Sequence, residues 1–129
     1  MIGIDTNLLV RLLVRDDATQ ARRVRKLVEN NGIFIPKSVL LETEWVLRYT
    51  YEFDRAAVNH ALRKVCGLPQ VVVEDTLTVQ KALSWHAKGL DFADALHLAS
   101  SQETQAFYSF DRSLLRKAGR LDSIRVVSP

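Results

Sequence analysis

At 129 residues, with 47% hydrophobic and 26% charged side chains, the chain has the size and balance of one globular domain with a real core. The 18 Lys and Arg outnumber 15 Asp and Glu, giving a net charge of +3 and a pI near 9.2, a mild bias toward polyanionic partners. One cysteine excludes an internal disulfide, one cysteine with three scattered histidines argues against zinc, and no apolar run approaches the roughly 20 residues of a membrane span. With no basic-then-apolar leader at Met1, the expected setting is a reducing cytoplasm.

The chain opens on Met1-Ile2-Gly3-Ile4, a short apolar β-branched strand that ends at Asp5-Thr6-Asn7, residues that favour turns and helix N-caps. A first helix is expected from about Asn7 to Val14, with Leu9, Leu12 and Leu13 on one face and Arg11 and Arg15 on another. A second, about Thr19 to Glu29, buries Ala21, Val24, Leu27 and Val28, and Asn30-Asn31-Gly32 ends it with a left-handed C-cap. Ile33-Phe34-Ile35 reads as a buried strand stopped by Pro36, and Ser38 as the cap of a third helix running to about Tyr49. Asp54 caps a fourth helix to about Val65, stopped by Gly67-Leu68-Pro69.

Val71-Val72-Val73 is a third strand, and Asp75 opens a fifth helix ending at Lys88-Gly89. Asp91 and Asp94 have capping-box spacing before an Ala- and Leu-rich helix to about Gln102. Ala106 to Phe110 reads as a fourth strand ending in Asp111, followed by a short helix to Ala118-Gly119 and an edge strand at Ile124 to Val127. Strands alternate with helices and no hairpin turn joins two strands, so the expected class is α/β with right-handed crossovers and a mostly parallel sheet.

Parallel strands all end at one edge, which places Asp5 and Asp111 there, with Glu42 and Asp94 in nearby first helical turns. Alone, each acid is a plain helix cap. Four converging acids repel one another unless some are protonated or a cation neutralises them, and hard oxygen donors without Cys or His suit Mg²⁺ or Mn²⁺. The basic clusters Arg22-Arg23-Arg25-Lys26 and Arg112-Arg116-Lys117-Arg120 read as solvated helix faces singly, and around an acidic centre as phosphate grips.

Four segments carry a resemblance. Met1 to Leu9 (MIGIDTNLL), Pro36 to Glu42 (PKSVLLE), Asp91 to Ala99 (DFADALHLA) and Ser109-Phe110-Asp111, in this order over essentially the whole chain, resemble the PIN-domain ribonucleases, and within them the VapC-type toxins of toxin–antitoxin modules. The resemblance implies a single PIN domain over residues 1–129, with a PIN-like three-layer fold: a mostly parallel central sheet of four to five strands with helices on both faces. It implies a Mg²⁺- or Mn²⁺-dependent endoribonuclease acting on RNA, a homodimer inhibited by a cognate antitoxin protein. Position by position, Asp5, Glu42, Asp94 and Asp111 match the family's acidic quartet, with Asp5, Asp94 and Asp111 as metal ligands. Asn7 and Ser109 match supporting polar positions, and Asp91 is a cap that could reach metal through water. Arg11, Arg15 and Arg112 are candidates for substrate or antitoxin contact.

Glu44 competes with Glu42, but residues two apart on a helix point about 200° apart, so only one can face a site, and the family pattern selects Glu42. His97 shares a helical face with Asp94 and reads as a hydrogen-bonded core or interface residue; His60 and His86 read as surface. Trp45, Trp85 and Phe92 read as core or dimer-interface rings rather than base-stacking ones. Two other functions fit parts of the pattern: a phosphatase-type hydrolase with Asp5 as nucleophile, weakened by Asn7 where a second Asp is usual, and a non-catalytic binding module whose acids are only caps.

Overall fold

Short β-branched runs make the strands, and amphipathic helices capped by aspartates separate them. The computed structural model describes residues 1–129, in two units, Met1–Thr76 and Leu77–Pro129.

The first unit contains β1 (Ile2–Gly3), α1 (Thr6–Leu13), α2 (Ala18–Asn30), β2 (Ile33–Ile35), α3 (Lys37–Tyr49), α4 (Arg55–Cys66) and β3 (Val71–Val73). The strands form a parallel sheet in the order β1-β2-β3, with Ile2 beside Ile33 and Ile33 beside Val71. Parallel neighbours need a crossover, and a pair of helices supplies each one. Ile33, Ile35, Leu9, Leu40, Leu47, Val58 and Leu62 are buried together with Thr43 and Glu44.

Capping explains most helix starts. Asp17 accepts from the Gln20 amide at 3.0 Å and Asp54 from the Ala57 amide at 2.8 Å. Three expected boundaries differ. Ser38 caps nothing: α3 starts at Lys37 behind Pro36, and the Lys37 amide donates instead to Glu74 Oε1 at 2.9 Å. Asn31 is extended rather than left-handed, because the Asn30 and Asn31 side-chain amides cover the Lys26 and Leu27 carbonyls themselves. Asp75, at φ +50°, turns its carboxylate to Lys37 Nζ at 2.5 Å rather than to the start of the next helix.

The second unit contains α5 (Thr76–Ala87), α6 (Phe92–Ser100), β4 (Phe107–Tyr108), α7 (Arg112–Ala118) and β5 (Val126–Val127). Its core is Leu83, Trp85, Phe92, Ala95, Leu98 and Leu114. The Trp85 indole donates to Asp122 at 3.2 Å. His86, expected at the surface, is buried with its ring edge-on to Phe92 at 5.6 Å. Trp45 differs the other way: it stays 54% exposed while Trp85 and Phe92 are core.

The α/β class is as expected, but the sheet is smaller than the four to five strands anticipated. β4 pairs with β5 in a separate two-stranded parallel sheet. The reason lies in length. The expected strand over residues 106–110 narrows to Phe107–Tyr108, and its ladder bonds, Phe107 N to Arg125 O at 2.8 Å and Ser109 N to Val127 O at 3.0 Å, all go to β5. Asp5 and Asp111 therefore follow strands of different sheets, so no reversal of strand order within one sheet makes them flank a switch point. No helix is long and apolar enough to cross a membrane.

Cys66 ends α4 half-buried, and desolvation pushes its thiol up to about 11. At pH 8 roughly one thiol in a thousand is then thiolate, so alkylation by iodoacetamide is expected to run about 100-fold slower than for free cysteine and to accelerate on adding urea.

Candidate active site

In the first unit the site begins where β1 ends. The Ile4 amide still donates to Phe34 O at 3.3 Å, and the chain then breaks from the sheet into α1. Asp5 is the N-cap: its Oδ1 accepts from the Leu8 amide at 3.1 Å, and its side chain stays exposed. Thr6, the next residue, is buried and donates its hydroxyl to Glu42 Oε1 on α3. That bond holds Glu42 against the turn that Asp5 caps. Thr6 was not singled out in the sequence; the available signal was a buried hydroxyl between an N-cap and an amphipathic helix. Asn7 is exposed in the same turn and shares no hydrogen bond with either acid.

Helical geometry separates the two glutamates of α3. Glu44 is 3% exposed and grips Arg48 in a fork, at 2.8 Å to Nε and 3.2 Å to Nη2. Glu42 lies on the exposed side. A carboxylate closed into a forked ion pair is a structural group, whereas Glu42 keeps an oxygen for solvent or substrate.

In the second unit, Asp91 Oδ2 caps α6 by accepting from the Asp94 amide at 3.2 Å. Asp94 is half-buried on a largely apolar helix. Burial first, then the negative charges of Asp91 and Asp111, raise its carboxyl above the ordinary carboxylate range, and His97 and Lys117 offset this in part. Asp111 is exposed and caps α7 through the Leu114 amide at 3.1 Å, and its own amide donates to Ser109 Oγ at 2.9 Å. Asp91 and Asp111 thus both act on Asp94, from the start of α6 and the end of β4.

Oxygen donors with a surplus of negative charge match a hard divalent cation, and the cluster around Asp94 fits one in chemistry. The structure does not present a finished cage: no group of three or more His, Cys, Asp or Glu is drawn close enough to hold an ion.

The arginines differ from one another. Arg11 is half-buried, ion-paired to Asp16 and donating to the Tyr51 hydroxyl at 3.2 Å, while that hydroxyl donates to Asp16 at 2.9 Å. The Tyr51 bond, and then the Arg11 charge, hold Asp16 below the ordinary carboxylate range. Arg15 and Arg112 are exposed. A groove of about 400 Å³ runs between α1 and α2, lined by Asn7, Leu8, Arg11, Gln20, Arg23, Val24 and Leu27. It contains none of the four acids.

Compared with known families, the chain matches a model described as PIN domain over residues 2–120. No individual curated protein matches it with significance.

The Asp94 geometry yields a stability prediction with a definite sign. A carboxyl raised in the fold is no burden below the unfolded value near 3.8, where both states are protonated; as pH climbs through and past the folded value, ionisation penalises the native state. Asp94→Asn is therefore expected to raise Tm by a few degrees at pH 7, with the gain vanishing toward pH 3, in calorimetric scans across that range.

Proposed function

Because the chain belongs to the PIN-domain family, whose members are generally metal-dependent nucleases, we propose that it is an endoribonuclease cleaving RNA phosphodiester bonds with Mg²⁺ or Mn²⁺, and the toxin of a toxin–antitoxin pair. The domain is taken as one unit of function over residues 1–129. The observation that carries the reading is Asp94, a half-buried carboxyl pressed by two further carboxylates on a largely apolar helix. Asp91 and Asp111 serve as helix caps, whereas Asp94 caps nothing, and a carboxylate placed against two others suits the binding of a cation.

By the family's pattern, Asp5, Asp94 and Asp111 would be the ligands of such an ion. Such an ion would supply Lewis-acid chemistry, lowering the pKa of a water and offsetting negative charge on the phosphate. Glu42, anchored by the Thr6 hydroxyl, orients the attacking water and accepts its proton. Ser109 steadies the loop bearing Asp111, Asp91 fixes the start of the helix bearing Asp94, and Asn7 offers its amide beside Asp5. Arg15 and Arg112, both exposed, are available to the phosphate backbone.

The groove between α1 and α2 supports the partner half of the proposal. Its floor of Leu8, Val24 and Leu27 suits the apolar face of an antitoxin segment, and exposed Arg23 offers charge to an acidic residue beside it, while Arg11 is already paired with Asp16. The protein acts in the cytoplasm in this reading, as a homodimer.

A labelled RNA incubated with Mg²⁺ or Mn²⁺ tests the chemistry. Cleavage is expected to stop in excess EDTA and to fall roughly 10²–10⁴-fold in Asp5→Asn, Glu42→Gln and Asp94→Asn, with all three variants folded by circular dichroism. Cleavage surviving EDTA refutes the metal-dependent mechanism. For the partner, the product of an adjacent small gene is expected to co-purify with the protein and silence it, and Arg23→Glu to weaken that complex about tenfold by calorimetry.

A further inference from the structure

α3 carries two large aromatic residues that its own unit leaves uncovered. Trp45 is 54% exposed and Tyr49 58% exposed. Positions 42, 45 and 49 fall within about 60° of one another on a helix, opposite the buried arc of Leu40, Glu44 and Leu47. The face that presents Glu42 therefore continues, one and two turns on, as an aromatic strip.

The strip is organised. The two rings lie 4.9 Å apart and tilted by 45°. The Arg48 guanidinium sits 4.5 Å from the centre of the Tyr49 ring and donates to the Tyr49 hydroxyl at 3.2 Å. Arg48 is itself fixed by the fork to buried Glu44. A buried carboxylate thus orients a cation, the cation orients Tyr49, and Tyr49 limits the rotamers of Trp45, whose remaining surface faces water.

Taking the protein as a ribonuclease, we infer that Trp45 is a stacking platform for an unpaired nucleobase next to the scissile phosphate, with Tyr49 and Arg48 as positioning residues that hold its ring. An indole stacks on any base, and a neighbouring cation favours an electron-rich ring beside a phosphate. The Trp45 backbone lies about 4.5 Å along the helix axis from that of Glu42, within the reach of one nucleotide from its phosphate to its base. A second copy of the chain is the poorer occupant. A stable dimer buries about 800 Å² on each partner, and this face passes from two rings directly to Glu42 and Ser38. The chain's net charge of +3 suits a polyanionic occupant. Bases in a duplex cannot reach the ring, so the substrate is single-stranded where it meets α3.

The test uses the full chain in EDTA, so that binding is read without cleavage. The probes are a short unstructured RNA carrying a fluorophore, and the same RNA annealed to its complement. Trp45→Ala is expected to weaken single-strand binding about tenfold, Trp45→Phe to weaken it less than about threefold, and both to leave duplex binding unchanged. Trp85 is buried, so quenching of intrinsic fluorescence by unlabelled RNA is expected in the wild type and absent in Trp45→Phe. Unchanged single-strand affinity in Trp45→Ala, or quenching that persists in Trp45→Phe, overturns the platform. So does sedimentation in which Trp45→Ala converts a dimer to a monomer without loss of RNA affinity. A wild type that cleaves RNA with Mg²⁺ while any of these holds leaves the nuclease reading standing and removes only the platform; a wild type that neither binds nor cleaves RNA removes both.

Discussion

A carboxyl group that is half out of water and faced by two further carboxylates is expensive to ionise, and Asp94 is in that position. Its difficulty arises from an otherwise favourable arrangement. Asp91 stabilises the start of α6 by accepting the Asp94 amide, and the same charge then penalises the Asp94 side chain. The α7 cap Asp111 adds to the penalty. Helix capping and charge accumulation are thus one set of residues seen in two ways.

The first unit handles its acids by separation. α3 places Glu44 and Glu42 about 200° apart, so one closes into a buried fork with Arg48 and the other meets Thr6 at the exposed edge. Glu44 gives α3 an internal anchor and, through Arg48, arranges the rings on its outer surface. Glu42 remains open because a single hydroxyl satisfies only one of its oxygen lone pairs.

What could be seen in the sequence was local. The β-branched runs Ile33-Phe34-Ile35 and Val71-Val72-Val73 fold as the strands they suggest, and Asp5, Asp54, Asp91 and Asp111 cap the helices that follow them. Each of these depends on neighbours within four residues. What could not be seen depended on distant partners. Nothing near Ser38 says that its helix is capped by Glu74, and nothing near Phe107 says that it pairs with Val126 and not with the larger sheet. The same holds for rings and acids. Trp45 and Trp85 both lie on helices and have opposite fates, because exposure is decided by which helices pack on which. The order of the acidic segments marked the family; whether their oxygens approach one another was beyond the reach of spacing along a chain.

The borrowed cap of α3 has a consequence for synthesis on the ribosome. The first amide of that helix has no acceptor of its own and waits for a side chain 37 residues downstream. While the nascent chain is shorter than this, the Lys37 amide lacks that acceptor, although Thr6 is already present to hold Glu42. Only when β3 has emerged and aligned beside β2 does the clamp close. The start of α3 is thus completed by a residue that is synthesised only after the whole helix.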